Sequence, residues 1–360
     1  MLSSRAAEAI QLLRHLIATP SPSRQEGAAA DIVEQFLLAK GAHPHRHCNN
    51  VWALEPADED DTRPILLLNA HLDTVKPVSG WQHDPFTPTL EGDRLYGLGS
   101  NDCGGGLVAL MQAALPCLCG AAPDNTERPW RILFAASAEE EVSGRQGIES
   151  LLPLLPQPSA AIIGEPTGLQ PATSEKGLMV VDAVCHGKAG HAARNEGDNA
   201  IYHALQDLDL LAHHCTELFP DISPQLGPVR ATVTIISAGT QHNVVPDRCS
   251  YTIDVRSTDR YSNEQILTIL RQHLCATLTP RSTRLQPSHI PNDHPLVRRC
   301  LQLGLKPFGS PTLSDQALMR FPSIKLGPGE SARSHTADEY ICLTEIEQAI
   351  NLYDLLLTGP

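Results

Sequence analysis

The sequence predicts an α/β fold built on a mostly parallel central sheet, and three observations support this. Apolar runs at 65–68, 131–136 and 160–163 lack the period-2 alternation of a half-exposed strand, so each reads as a strand covered on both faces. Segments of helical spacing alternate with these runs, as in layered α/β domains. Each run also empties into His, Asp or Glu at its carboxyl end, where open α/β sheets place their chemistry.

Taken in order, Leu2, Ala6, Ala9, Ile10, Leu13 and Ile17 recur at helical spacing, while Arg5, Glu8 and Arg14 interrupt any apolar leader core. The segment therefore reads as an amphipathic helix of a cytoplasmic protein. His43, His45 and His47 read as a solvated loop or strand edge. The acidic run Asp58, Glu59, Asp60 and Asp61 reads as a solvated turn, and Pro64, Gly80 and Pro123 as further turns. Strand 65–68 delivers Asn69, Ala70, His71, Leu72 and Asp73. The glycines at 104–106 lack the Gly-Lys-Ser/Thr ending of a phosphate loop and read as close backbone packing before a helix at 107–118. Strand 131–136 leads to Glu139, Glu140 and Glu141, and strand 160–163 to Gly164, Glu165 and Pro166.

Between about 175 and 289 the pattern changes. Strand 178–185, helix 199–215, strands 229–237 and 250–255, helix 263–274 and strand 284–289 read as βαββαβ, a ferredoxin-like α+β insertion. Ser262 with Gln265 offers a capping box for the second helix, whose apolar stripe is Ile266, Ile269, Leu270 and Leu274. His213 and His214 suit the C-terminal end of the first. Residues 313–329 return to a short strand and a Gly-Pro-Gly loop, and Thr344 with Glu347 is expected to cap a last helix through Ile346, Ile350, Tyr353 and Leu357. The expected domains are 1–174 with 290–360, and 175–289.

With 360 residues and 41% hydrophobic content the chain buries a large core, and its length favours two domains. A net charge of −14 without any basic block argues against a nucleic-acid partner. No apolar run approaches the roughly 20 residues that span a bilayer. Ten cysteines without CxxC spacing read as free thiols in a reducing compartment. Cys103 has no local cationic partner and reads as a small structural residue.

His71, Asp102, Glu141 and Glu165 each follow an element whose carboxyl end belongs at one rim of one sheet. In a water-poor cleft such a group would repel or stay protonated unless a cation were present. Imidazole with carboxylates suits zinc, with cobalt or manganese as substitutes. The carboxylates outnumber the ligands of one three-ligand zinc, and two ions roughly 3.5–4 Å apart sharing a carboxylate fit the count better.

The motifs NAHLDTV, GSNDCGGGL, SAEEEVSG, GEPT, GKAGHAA, NVVPDRCSYTIDVR and GPGESARSHTADEY occur in an order and spacing that resembles the M20 family of co-catalytic metallopeptidases and amidohydrolases, in its acetylornithine deacetylase-like branch. The resemblance implies a zinc-exopeptidase-like catalytic domain with an inserted lid and dimerisation domain. It implies two divalent ions, with His71 and Glu165 on one, Glu141 and His335 on the other, Asp102 bridging both, and a cis peptide joining Asp102 to its neighbour. Asp73 would orient the His71 imidazole and Glu140 would be the general base. His191 would reach the transition state, often from a neighbouring subunit. Asn243, Arg256 and Gly329 would contact substrate, Asn243 near the oxyanion and Arg256 at an α-carboxylate.

The implied reaction removes the acyl group of an N-α-acyl amino acid, N-acetylornithine, N-acetylcitrulline or an N-succinyl analogue, in arginine biosynthesis by a homodimer. Three departures bear on the acyl group: Glu139 where Asp is common, Cys103-Gly104 where many relatives carry Met-Lys, and Asp338-Glu339 where Asn-Glu is frequent. A succinyl-diaminopimelate desuccinylase, a dipeptidase and a non-catalytic amino-acid binding protein on the same fold are the alternatives.

Overall fold

The computed structural model describes residues 2–121, 128–194 and 196–358; the turn expected at Pro123 lies outside them. The chain divides into two compact units, Met1–Thr173 with Ile290–Phe308 and Ser314–Pro360, and Ser174–His289 with Gly309–Leu313. Gly309–Leu313 comes from the C-terminal segment but groups with the second unit, where the Lys176 amide donates to the Ser310 carbonyl.

In the first unit, strands Arg131–Ser137, Ile65–His71, Ala160–Ile163 and Ser323–Lys325 lie side by side and parallel. Antiparallel strands Asn50–Leu54 and His45–His47 extend one edge. The uninterrupted apolar runs are explained by what covers each face. Leu66, Leu68, Ala70, Ile132, Phe134 and Ala136 pack with helices Ser4–Ile17, Gly105–Leu118 and Leu343–Leu357, whereas Leu67, Leu133 and Ala135 pack with Ile148 and Leu151. Among the described residues no helix is long and apolar enough to cross a membrane.

Helix Gly105–Leu118 begins where three glycines allow backbone to meet backbone. A Cβ at Gly106 would stand 1.8 Å from the Gly164 carbonyl oxygen. The helix start and the turn carrying Glu165 are thus held in direct contact.

The second unit is a four-stranded antiparallel sheet ordered Arg230–Ala238, Arg248–Ser257, Gly177–His186, Thr277–Pro280. Helices Ala200–His213 and Asn263–His273 cover the face formed by Met179, Val181, Ala183 and Cys185. The Ser262–Gln265 capping box is present. The βαββαβ order holds, but its last strand is Thr277–Pro280 rather than 284–289. Leu278 supplies the single inward side chain of that short strand, too little for a periodic signal. The Leu285 region instead bridges to Leu178, and its carbonyl accepts from the Asn263 amide at 2.7 Å.

The terminal helix Leu343–Leu357 starts earlier than expected. Its capping box is Cys342 with Glu345, whose carboxylate accepts the Cys342 N–H at 2.9 Å. Thr344 instead donates to Asp93, and Glu347 accepts the Ser3 N–H. Cysteine is not a usual cap, so the Thr-x-x-Glu pattern two residues later was the more visible signal.

Gly106→Ala should destabilise the fold by about 1–3 kcal/mol or more, because neither clashing backbone segment has a flexible side chain to yield. Chemical denaturation checks this; an unchanged midpoint would show that the helix start and the Gly164 turn do not touch.

Candidate metal centre

The parallel register sets the site. His71 pairs opposite Ser137 and Asn69 opposite Ile163, so the three chains leave the sheet at one level and their next residues share a rim. Below it, the buried Asp315 carboxylate accepts from Asn69 Nδ2 at 2.9 Å and Ser137 Oγ at 2.7 Å, tying two of the strands together. Burial pushes its pKa up to about 6.

His71 is buried, with Nε2 3.2 Å from Asp102 Oδ1 and 3.6 Å from Glu165 Oε1. On the opposite side, half-exposed His335 places Nε2 3.0 Å from Glu141 Oε2 and 3.6 Å from Asp102 Oδ2. Asp102 therefore turns one oxygen toward each histidine, and each histidine has its own glutamate. The Asp102–Cys103 peptide is cis. Sequence-predicted residues His71, Asp102, Glu141, Glu165 and His335 are all brought together.

Backbone amides anchored on carboxylates hold this geometry. The N–H groups of Gly99, Asn101 and Asp102 donate to Glu339 at 3.2, 2.9 and 3.0 Å. Successive amides of the acidic triplet do the same: Glu139 donates to Glu26 at 3.1 Å, Glu140 to Asp73 Oδ1 at 2.9 Å and Glu141 to Asp73 Oδ2 at 3.1 Å. Left-handed backbone at Glu139 and Ser143 brackets the short 3₁₀ turn Glu140–Val142, an uncommon conformation for residues other than glycine.

These bonds revise the expected part of Asp73. The His71 Nδ1 contact at 2.8 Å is with the Asp73 main-chain carbonyl, while its carboxylate oxygen Oδ1 is 3.8 Å away. The carbonyl sets the tautomer that leaves Nε2 facing the carboxylates, and the Asp73 side chain organises the glutamate loop. Sequence reasoning gave Glu26 and Asp315 no part and named Glu339 only within a motif, without a role. Isolated carboxylates that accept from distant groups, backbone N–H for Glu26 and Glu339 and side chains for Asp315, leave no spacing signature.

The electrostatics ask for a cation. Glu165 Oε1 is buried without a hydrogen-bond partner. Burial and neighbouring Asp102 raise Glu165 to about 8, and burial with Glu165 holds Glu140 well above the ordinary carboxylate range. Burial also lifts Glu339, to about 7. For Asp102, burial is outweighed by the His71 hydrogen bond, and its pKa is lowered. The bond to Glu141 raises His335 to about 9. His71, Asp102 and Glu141 offer ligand atoms within 4.8 Å of one another, and the orphaned Glu165 oxygen points at the same imidazole. Imidazole and carboxylate donors of this kind fit divalent ions. Cys103 lies against His71, whose main-chain N–H donates to Sγ at 3.2 Å, but burial pushes its thiol pKa up to about 12.

The remaining expected residues are placed as follows. Gly329 has φ +81, and a Cβ there would strike Asn101 Oδ1 at 2.2 Å; it packs against the loop that carries Asp102. In the second unit, His191 on strand Gly190–His191 pairs with Val244, and the Ala192 N–H donates to the Asn243 carbonyl, so His191 and Asn243 share one corner. Arg256 engages Asp254 through Nε at 2.8 Å and Nη2 at 3.2 Å.

Residues 67–359 match the sequence profile of peptidase family M20/M25/M40. The chain belongs to that family. As an M20 protein it is a hydrolase acting on amide bonds. It is 27% identical over 360 residues to an acetylornithine deacetylase of Edwardsiella ictaluri, covering 92% of each chain. It is also 27% identical over 354 residues, 94% of each chain, to a protein of Pyrobaculum aerophilum provisionally named LysW-lysine/LysW-ornithine hydrolase. In fold it resembles the aminopeptidase PepT of Bacillus cereus, with TM-score 0.75, 16% identity and 99% and 98% of the two chains covered. It also resembles YXEP of Bacillus subtilis, described as a dinuclear metal-binding peptidase of the M20 family, with TM-score 0.69, 16% identity and 98% of both chains covered.

Glu165, Glu339, Asp315 and His335 all hold protons in the folded chain beyond the pH at which they would lose them when unfolded. Protein stripped of divalent ions should therefore lose stability as pH rises from about 5 to 9, and added divalent ion should restore it. Glu165→Gln should flatten part of that slope in thermal melts. A pH-independent melting temperature in stripped protein would contradict the arrangement.

Proposed function

We propose that this M20 protein is a deacylase that hydrolyses the amide of an N-α-acyl amino acid, with N-acetylornithine or N-acetylcitrulline, or an N-succinyl analogue, as substrate in arginine biosynthesis. The observation that carries the reading is Asp102 turned between two histidine–glutamate pairs with Glu140 beside them. The deacetylase relatives favour an acylated amino acid over other amides.

His71, Asp102 and Glu165 would hold one ion and Asp102, Glu141 and His335 a second, with zinc the best match to the donors and cobalt or manganese able to replace it. When bound, such ions acidify water and polarise a carbonyl. Glu140, whose backbone is pinned by Asp73, takes the proton of the attacking water at its carboxylate and returns it to the leaving amine nitrogen. A carboxylate with a raised pKa suits both transfers near neutrality. His191 and Asn243 would donate to the developing oxyanion. Arg256 would bind the substrate α-carboxylate, sharing its fork with Asp254.

The second unit would also form a homodimer. Ile235 and Ile236 on edge strand Arg230–Ala238 are 59% and 53% exposed, and Tyr202 and Leu205 on helix Ala200–His213 are 66% and 53% exposed. Apolar side chains on an open sheet edge favour pairing with another chain. Ten cysteines without a disulfide pattern suit a reducing, cytoplasmic setting.

Glu140→Gln should retain metal yet lose at least about 100-fold in kcat, the scale for one preorganised catalytic group; activity near that of the parent would reject Glu140 as the base. On a panel of N-acetylornithine, N-acetylcitrulline, their N-succinyl analogues and dipeptides, the acyl amino acids should turn over fastest. Faster dipeptide cleavage would overturn the deacylase reading. If His191 acts across the dimer, mixing inactive Glu140→Gln and His191→Ala chains should recover activity, and no recovery at any mixing ratio would place it within one chain.

A further inference from the structure

The second unit holds a side-chain cluster that amide hydrolysis does not use. Cys185 on strand Gly177–His186, Asp207 on helix Ala200–His213 and Cys275, just before strand Thr277–Pro280, converge at one point. The two sulfurs are 3.7 Å apart. Cys185 Sγ is 3.5 Å and Cys275 Sγ 3.4 Å from the same carboxylate oxygen, Asp207 Oδ2. Asp207 is only 3% exposed, whereas Cys275 opens to the surface.

These spacings match a tetrahedral face. With Zn–S about 2.3 Å and Zn–O about 2.0–2.2 Å, tetrahedral angles put two sulfurs about 3.8 Å apart and sulfur and oxygen about 3.5–3.7 Å apart. A disulfide would need the sulfurs at about 2.05 Å, far closer than they stand. The acceptor is also oversubscribed. The Tyr251 hydroxyl at 2.7 Å and the Ala276 N–H at 3.1 Å already take roughly the two lone-pair sites of Asp207 Oδ2, and both thiols crowd the same oxygen, the Cys275 thiol also reaching the His203 carbonyl at 3.4 Å.

We propose that Cys185, Cys275 and Asp207 form a binding site for one thiophilic divalent cation of the zinc type, with the fourth position open to water on the Cys275 side. Two metal–sulfur bonds form as two S–H bonds break, and both protons leave to solvent without any oxidation. The cluster carries one net negative charge before and after the exchange, so no uncompensated charge is buried. Oδ2 then exchanges two thiol contacts for one metal contact. Tyr251 and the Ala276 amide steady the ligating carboxylate, as outer partners do in metal sites. Burial, with Asp207 adding to it, raises the pKa of both thiols, which keeps them protonated until a cation displaces the protons. The ion would link a strand, a helix and the start of the last strand within the second unit.

The test is titration of the intact protein with cadmium ion, following the near-ultraviolet thiolate-to-cadmium absorption, beside Cys275→Ser and Asp207→Asn. The parent should show a band whose plateau corresponds to two thiolates on one cadmium per chain, whatever cadmium the carboxylate and imidazole site also takes. Cys275→Ser, altered at an exposed position, should lose most of that band, and Asp207→Asn should bind at least about tenfold more weakly. Alkylation of the unaltered protein gives a reading that needs no variant: zinc should slow modification of Cys275 at least tenfold. Equal bands in the parent and Cys275→Ser, equal alkylation of Cys275 with and without zinc, or a Cys185–Cys275 disulfide in freshly isolated protein would each overturn the site.

Discussion

Asp102 stands between two imidazoles, one oxygen 3.2 Å from His71 and the other 3.6 Å from His335, and most of the first unit can be understood as what keeps it there. Carboxylates this close and this buried are costly unless something positive joins them. The protein meets that cost partly with histidine and leaves Glu165 with a buried, unpartnered oxygen. The same crowding that calls for cations raises the proton affinity of Glu140, so the proposed metal binding and proton transfer would draw on one electrostatic arrangement.

Position comes from the sheet and protonation from burial. Parallel pairing brings His71, the glutamate triplet and Glu165 to one rim, and Gly106 against Gly164 sets how closely the Asp102 loop approaches it. Further carboxylates then grip the backbone. Asp73, Glu26 and Glu339 accept amide N–H groups from the loops that carry the site, so the side chains of the candidate metal centre are turned by their own main chain. Adjacent Glu140 and Glu141 can take different roles because each amide is anchored on a different oxygen of Asp73.

Much of this was legible in the sequence. Apolar runs of four to six residues without alternation are a strong sign of strands covered on both faces, and acids at their carboxyl ends are conspicuous. The Ser262 capping box was readable because its chemistry is local. What escaped depended on distant partners. The strand Thr277–Pro280 exists through pairing with Gly177–His186, and Cys342 caps a helix because the strand Tyr340–Cys342 ends there. Asp73 was assigned to the imidazole through its side chain, yet a main-chain carbonyl, present at every residue and so invisible in sequence, makes the shorter contact. Cys185, Asp207 and Cys275 are far apart in sequence and carry no motif.

The proposed function rests on Asp102 being shared by two cations, one on the His71–Glu165 side and one on the His335–Glu141 side. Anomalous diffraction from zinc-loaded crystals tests it most directly. The account predicts two anomalous peaks roughly 3.5–4 Å apart with Asp102 touching both. A single peak, or a pair in which Asp102 contacts neither, would contradict it.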